Sequence, residues 1–384
     1  MPSPRYDYVF AGTGAAAFSL LMRLLKEGQL DGKKVLLVDR EAKTRNDRTW
    51  CFWERGEGFF EQIVHKQWPA LQFADPSGSF NLDIGRYRYK MIRGIDFYRH
   101  CLSALQQHPS IEFLQGEASF SKSRDKAPQM QVNGQTIPLE GSTVFSSLYE
   151  PETITPRNIS LLQHFKGWWI ETDQPAFNAD RATLMDFSVS QHHGTSFAYV
   201  LPVSPTRALV EYTLFTKYVL DERDYESQLK SYIENHLRIG SYRIQEKEFG
   251  VIPMSVRKFL FRESGIYHIG TAGGQTKAST GYTFQFIQKR TAAIARAIAS
   301  GHSLDRLPQE SRRFHFYDSV LLRLLVRGDL QGREIFSRLF HRNPAHRIFR
   351  FLDNESNLME EMQLISTLQP LPFLRSAIAG WLGQ

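Results

Sequence analysis

The first forty residues limit the fold more than any other segment. Tyr6 to Ala11 (YDYVFA) is a β-rich run that ends in glycine. Ala15 to Glu27 (AAAFSLLMRLLKE) is a strong helix former with apolar residues spaced for burial. Asp31-Gly32 marks a turn, and Lys34 to Asp39 (KVLLVD) reads as a second buried strand closed by an acid. Strand, glycine turn, helix, turn and strand make a βαβ unit with parallel strands. Its turn, Gly12-Thr13-Gly14-Ala15-Ala16-Ala17, fits the dinucleotide pattern G-x-G-x-x-[G/A]. Gly12 permits the tight bend, Gly14 lets a pyrophosphate approach the backbone, and Ala17 lets the helix pack close to the sheet. The helix N-terminus offers free N–H groups to phosphate, and Asp39 is placed to accept from a ribose hydroxyl.

A second strand, Gly265 to Ile269, runs into Gly270-Thr271-Ala272-Gly273-Gly274 and then a helix, Phe284 to Ser300. A cofactor too long for one loop suits two such turns, so Gly270, Ala272, Gly273 and Gly274 point to FAD rather than NAD. Between the turns, Trp168 to Thr172, Ala182 to Val189, Ser196 to Val203, Arg207 to Phe215 and Tyr242 to Val251 alternate as antiparallel strands. Tyr225 to Leu237 is an interposed amphipathic helix, and Ile95 to Gln107 has helical spacing. Residues 40–60 lack periodicity and read as a loop. The expected class is α/β. A Rossmann-like FAD-binding domain at 1–160 and 255–305 is interrupted by an antiparallel β-sheet substrate domain at 161–254. A helical C-terminal region follows at 306–384.

Two cysteines, Cys51 and Cys101, form neither a CxxC pair nor a metal-ligand cluster, so no metal is expected and a reducing cytoplasm is. The N-terminus lacks a signal-peptide pattern, and no apolar run is long enough to span a bilayer. The net charge of +7 is concentrated between Arg306 and Arg350, which hold ten arginines and four acids. Such a patch seeks an anionic surface; without a nucleic-acid motif beside it, lipid is favoured over nucleic acid.

Asp47-Arg48-Thr49-Trp50-Cys51-Phe52-Trp53, Met91-Ile92-Arg93-Gly94, Met185-Asp186-Phe187, Val210-Glu211-Tyr212-Thr213 and Gly270 to Phe284 occur in this order. Together they resemble the FAD-dependent lycopene cyclases of carotenoid synthesis, nearest the bacterial β-cyclases, from residue 6 to about 375. The resemblance implies a flavoprotein fold of the glutathione-reductase and hydroxybenzoate-hydroxylase type. It also implies a ring closure without net oxidation: an end group of lycopene, or a related linear carotene, is protonated, cyclises and loses a proton. FAD is needed reduced but is not consumed, with NAD(P)H a candidate electron source. Analogy sets Arg48, Thr49, Trp50 and Trp53 near flavin or substrate, and Arg93 is a candidate pyrophosphate partner.

Glu211 shares a strand face with Leu209 and Thr213. Beside an apolar polyene its carboxyl is desolvated and keeps its proton, as alkene protonation requires. The family motif assigns it the acid role. Asp186, on a face with Leu184 and Ser188, is either a second carboxylate near the ring or a structural acceptor. His192 and His193 read as a solvated turn. The aromatic residues Phe314, Phe316, Phe336, Phe340, Phe349 and Phe351 interleave with the C-terminal arginines. They suggest helices lying on the anionic inner face of the cell membrane. Two other readings are an FAD monooxygenase or reductase on an apolar substrate, and a carotenoid carrier without activity.

Overall fold

The computed structural model describes residues 6–121, 129–151, 159–309 and 311–382. Tyr8–Ala11, the helix Ala15–Lys26 and Val35–Asp39 form the βαβ unit, with Tyr8 opposite Val35 in a parallel pair. These strands lie inside a six-stranded sheet ordered Arg262–Glu263, Ile266–His268, Thr143–Ser146, Tyr8–Ala11, Val35–Asp39, Ile111–Gln115. All its pairings are parallel except the short edge at Arg262–Glu263. Ile266–His268 returns the chain to this sheet beside Thr143–Ser146, which brings the late glycine turn next to the early one. The helix Phe284–Ala299 then packs on Ala15–Lys26, joining Leu20, Leu21 and Leu24 to Ile287 and Ile294. A small sheet of Ala118–Phe120, Gln129–Val132 and Gln135–Pro138 covers the opposite face through Met130 and Val132.

The second large sheet has seven strands ordered Arg243–Ser255, Ser160–Glu171, Arg207–Thr216, Thr195–Pro202, Arg181–Asp186, Ala70–Asp75, Gly78–Leu82. The five alternating runs expected here fall on its first five strands. The last two come from residues 70–82, so the sheet reaches outside the expected 161–254 span. Its two faces follow the alternation. Ile170, Val210 and Tyr212 pack under the helix Glu222–Ser231 and its π-helical extension Tyr232–His236. Trp169, Tyr199 and Leu209 face the other way, toward the C-terminal helices.

Residues 49–54 correct the loop expected over 40–60. Thr49–Glu54 is a strand paired antiparallel with Arg88–Arg93, which also pairs with Lys66–Trp68. Thr-Trp-Cys-Phe-Trp has strong β propensity, but its partner lies far along the chain, and flanking charges mask the signal. Trp53 stacks on Phe349 at 4.4 Å and donates through Nε1 to Asp353 at 2.8 Å, tying this strand to the C-terminal helices.

Those helices are Arg312–Arg327, Gly332–Arg342, Ala345–Leu352, Leu358–Ser366 and Pro370–Leu382. Phe314, Phe336, Phe340 and Phe349 are buried, so most of the aromatic residues interleaved with arginine belong to the core, not to a membrane face. Large apolar side chains are instead exposed on the last two helices: Leu358, Met359, Met362 and Ile365, then Leu371, Leu374 and Ile378. No helix among the described residues is long and apolar enough to cross a membrane.

Candidate active site

Two backbone bends build one cradle. Gly12 has φ +87°, and a Cβ there would collide with Ser147 Oγ, which donates to the Gly12 carbonyl at 3.1 Å. Gly270, at φ +65°, sits against Ala16 Cβ and beside Ser147, so both turns close on the same serine. Above Gly14 the space is open: a Cβ there would meet nothing within 4 Å. The helix that begins at Ala15 has no acid in its first turn and no side-chain cap, which leaves its N–H groups to an anion. Ala17 is fully buried, and a Cβ on Gly273 would strike the His268 carbonyl. Ala272 and Gly274 complete the second turn, Gly274 in the left-handed region at φ +76°. Asp39 accepts from Thr13 N at 2.7 Å and Thr13 Oγ1 at 2.9 Å and pairs with Lys43 at 3.3 Å. Burial pushes its carboxyl up, but the N–H groups of Glu41 and Thr13 and the Lys43 charge outweigh that and hold it below the usual range. An open approach at Gly14, an uncapped helix and an ionised acid at the strand end fit an adenine dinucleotide.

Beside the cradle lies a cavity of about 340 Å³. One wall belongs to the cofactor side, with Arg48, the strand residues Thr49 and Trp50, and Thr271 and Thr283. The other is the inner face of the seven-stranded sheet, with Phe165, Tyr199, Leu209, Glu211 and Ile252; Tyr89 and Tyr282 also line it. Glu211 is half-buried, and the surface it keeps opens into this cavity. Burial pushes its carboxyl up to about 8, the charge of Glu248 adds to that, and a 2.7 Å hydrogen bond from Thr213 Oγ1 partly opposes it. At neutral pH this side chain is a carboxylic acid facing an enclosure of aromatic rings.

The family model for lycopene cyclase proteins matches residues 7–378. The chain belongs to the lycopene cyclase family. It is 23% identical to the lycopene beta-cyclase of Pantoea ananas, with 97% of each chain covered. It is 22% identical to that of Pseudescherichia vulneris, with 95% of each covered. In fold it is similar to a probable FAD-dependent monooxygenase from Pseudomonas aeruginosa, at a TM-score of 0.57 and 14% identity, over 87% of this chain and 99% of the other.

Other expected site residues of this cyclase-family chain are scattered. Asp186 does not line the cavity. A register shift between Thr183 and Asp186 changes the strand's phase, so Leu184 faces the inner core while Asp186 faces the helix-covered side. There it accepts from Tyr232 Oη at 2.7 Å and the Ser188 N–H at 2.8 Å, and it pairs with His236 at 3.1 Å. Arg93 is not among the cavity residues either: it pairs with Glu246 at 3.5 Å and lies over the Trp169 ring. Arg48 lines the cavity with its guanidinium on Asp47 at 2.8 Å. Thr49 lines it too, but its hydroxyl donates to Glu248 at 3.1 Å. Trp50 packs edge-on to Phe97 and Tyr98, and His192 and His193 lie in a turn. Sequence reading missed Tyr89, Tyr199, Tyr282 and Glu248. Glu248 sits in a polar run, Gln245-Glu246-Lys247-Glu248, and only strand alternation distinguishes its inward position from that of Lys247.

Proposed function

We propose that this protein closes the linear end groups of lycopene into β-rings with Glu211 as the acid. The observation that carries this reading is a carboxyl, pushed up to about 8 chiefly by burial, on the aromatic wall of a cavity whose lining also includes Thr271 of the late glycine turn. Glu211 gives its proton to the CH carbon of the terminal double bond, a C–H bond forms from the π pair, and the dimethyl carbon is left as a tertiary cation. The next double bond attacks that cation, forming the ring C–C bond. Loss of a proton from the neighbouring carbon then forms the ring double bond, so nothing is oxidised or reduced. Tyr89, Tyr199, Phe165 and Phe284 surround this space, and their ring faces attract the cation by roughly 0.5–2 kcal/mol each. Gly12, Gly14, Ala17, Asp39, Gly270, Ala272, Gly273 and Gly274 would hold FAD. FAD held there in its reduced form would supply negative charge to steady the cation, and NAD(P)H is its proposed reductant. Asp186 is proposed as the acceptor that fixes Tyr232 and His236, and Arg93 as the clamp on Trp169.

Purified protein with reduced FAD and lycopene in liposomes tests this directly. A product of unchanged mass and shifted absorption is expected. Glu211→Gln should bind flavin yet lower turnover by about 10²–10⁴. A Glu211→Gln enzyme that cyclises normally would remove the proposed acid.

Lycopene resides in lipid, and membrane attachment from the inner face is part of the proposal. The exposed apolar faces of Leu358–Ser366 and Pro370–Leu382 support it, together with the arginine excess of the neighbouring helices.

A further inference from the structure

Gly167 is opposite Glu211 in one strand pairing and opposite Glu248 in the other. Glu211, Gly167 and Glu248 therefore form one row across three strands, pointing to the same face. The two glutamate backbones are about 10 Å apart, within reach of two long side chains when the middle residue has none. A Cβ on Gly167 would come to 2.9 Å from Leu209 Cδ1, 3.1 Å from Glu248 Cγ and 3.7 Å from Glu211 Cβ. Any side chain at this position would stand between the carboxyls.

Glu248 is 5% exposed and firmly held. Its Oε1 accepts from Thr49 Oγ1 at 3.1 Å and from Trp169 Nε1 at 2.9 Å, while its Oε2 is buried with no hydrogen-bond partner among the described residues. The Trp169 ring is itself fixed beneath Arg93 and Arg207, which share Glu246. Burial pushes the Glu248 carboxyl up to about 7; the Thr49 and Trp169 hydrogen bonds and the Arg93 charge oppose that, the Glu246 charge adds to it, and Glu248 still ionises below Glu211. Around Glu211 the other titratable groups are Cys51, Tyr89, Tyr199 and Tyr282, all held neutral by burial. The negative charge acting on Glu211 is therefore that of Glu248.

We infer that Glu248 is a positioning residue of this site, whose negative charge, acting across the gap left by Gly167, adds to burial in keeping the proton on Glu211 until substrate takes it. Two donors on one oxygen let Glu248 ionise first, and a carboxylate so close makes a second ionisation unfavourable. The same charge makes the Glu211 carboxylate left after transfer a stronger base, so it recovers a proton readily. The inference rests on Glu211 being the acid.

Infrared carboxyl bands of the resting protein, titrated against pH and assigned with Glu211→Gln, read the pair without turnover. In Glu248→Gln the Glu211 band should vanish about one pH unit lower than in the wild type, and the alkaline limb of kcat/KM should move with it. Gln still accepts from Thr49 and Trp169, so the fold has its contacts. Thr49→Val, which deletes one donor and delays the charge on Glu248, should move the band the same way by less. A band and limb that stay in place in Glu248→Gln, or in Thr49→Val should the first variant not fold, overturn the inference. Normal cyclisation by Glu211→Gln would instead remove the acid assignment, while the infrared displacement would still report the coupled pair.

Discussion

Glu211 shows how the proposed acid weakens the fold that carries it. Its proton-binding affinity is raised in the folded protein, to about 8 from an ordinary value of 4.5. Between those values the native state holds a proton that the unfolded chain has released, so stability falls as pH rises through this window and levels off above it. Glu211→Gln removes the penalty. Its melting temperature should exceed the wild type's by about 2–5 °C at pH near 8, with the gap closing toward pH near 4.5. Wild-type cyclisation should decline as pH passes about 8, because the proposed acid step needs the protonated form. Equal melting temperatures at the alkaline end would mean that the carboxyl is not desolvated.

The two early glycines separate folding from binding at the scale of one turn. Gly12 is in the left-handed region and faces Ser147, whereas Gly14 has extended backbone angles and empty space above it. Gly12→Ala should cost about 1–3 kcal/mol in stability, read from denaturant unfolding. Gly14→Ala should leave stability nearly unchanged but weaken flavin binding about tenfold or more, read by fluorescence titration. If Gly14→Ala binds flavin normally, the cofactor does not approach the backbone there. The sheet strand Thr49–Glu54 teaches a related point. Its aromatic residues are legible as β formers, but their partner strand and the Trp53 stack on Phe349 come from distant parts of the chain.

Across the whole molecule, charge and apolar surface are divided between neighbouring elements. Several C-terminal arginines are already engaged: Arg313 pairs with Glu361 at 3.0 Å and Arg350 with Glu360 at 2.9 Å. Leu371 and Met359, each 66% exposed, add apolar surface whose contact with lipid does not depend on charge. Binding to anionic vesicles in a sedimentation assay should therefore weaken as salt rises but persist. Leu371→Glu with Leu374→Glu should lower vesicle binding about tenfold or more without changing flavin content. Unaltered vesicle binding by that double variant would move the membrane contact elsewhere.

Local rules were enough for the βαβ unit, the second glycine turn, five of the seven strands of the large sheet and the face that carries Glu211. Each depends on periodicity or backbone freedom within a few residues, and that information is carried by the chain itself. Three features depended on the tertiary structure. One is the register shift that turns Asp186 away from the cavity. Another is the burial of arginine-interleaved aromatics such as Phe336 and Phe349. The third is the row that sets Glu248 across Gly167 from Glu211. All three arise from contacts between segments far apart in sequence, where packing and register, not local preference, set which way a side chain points.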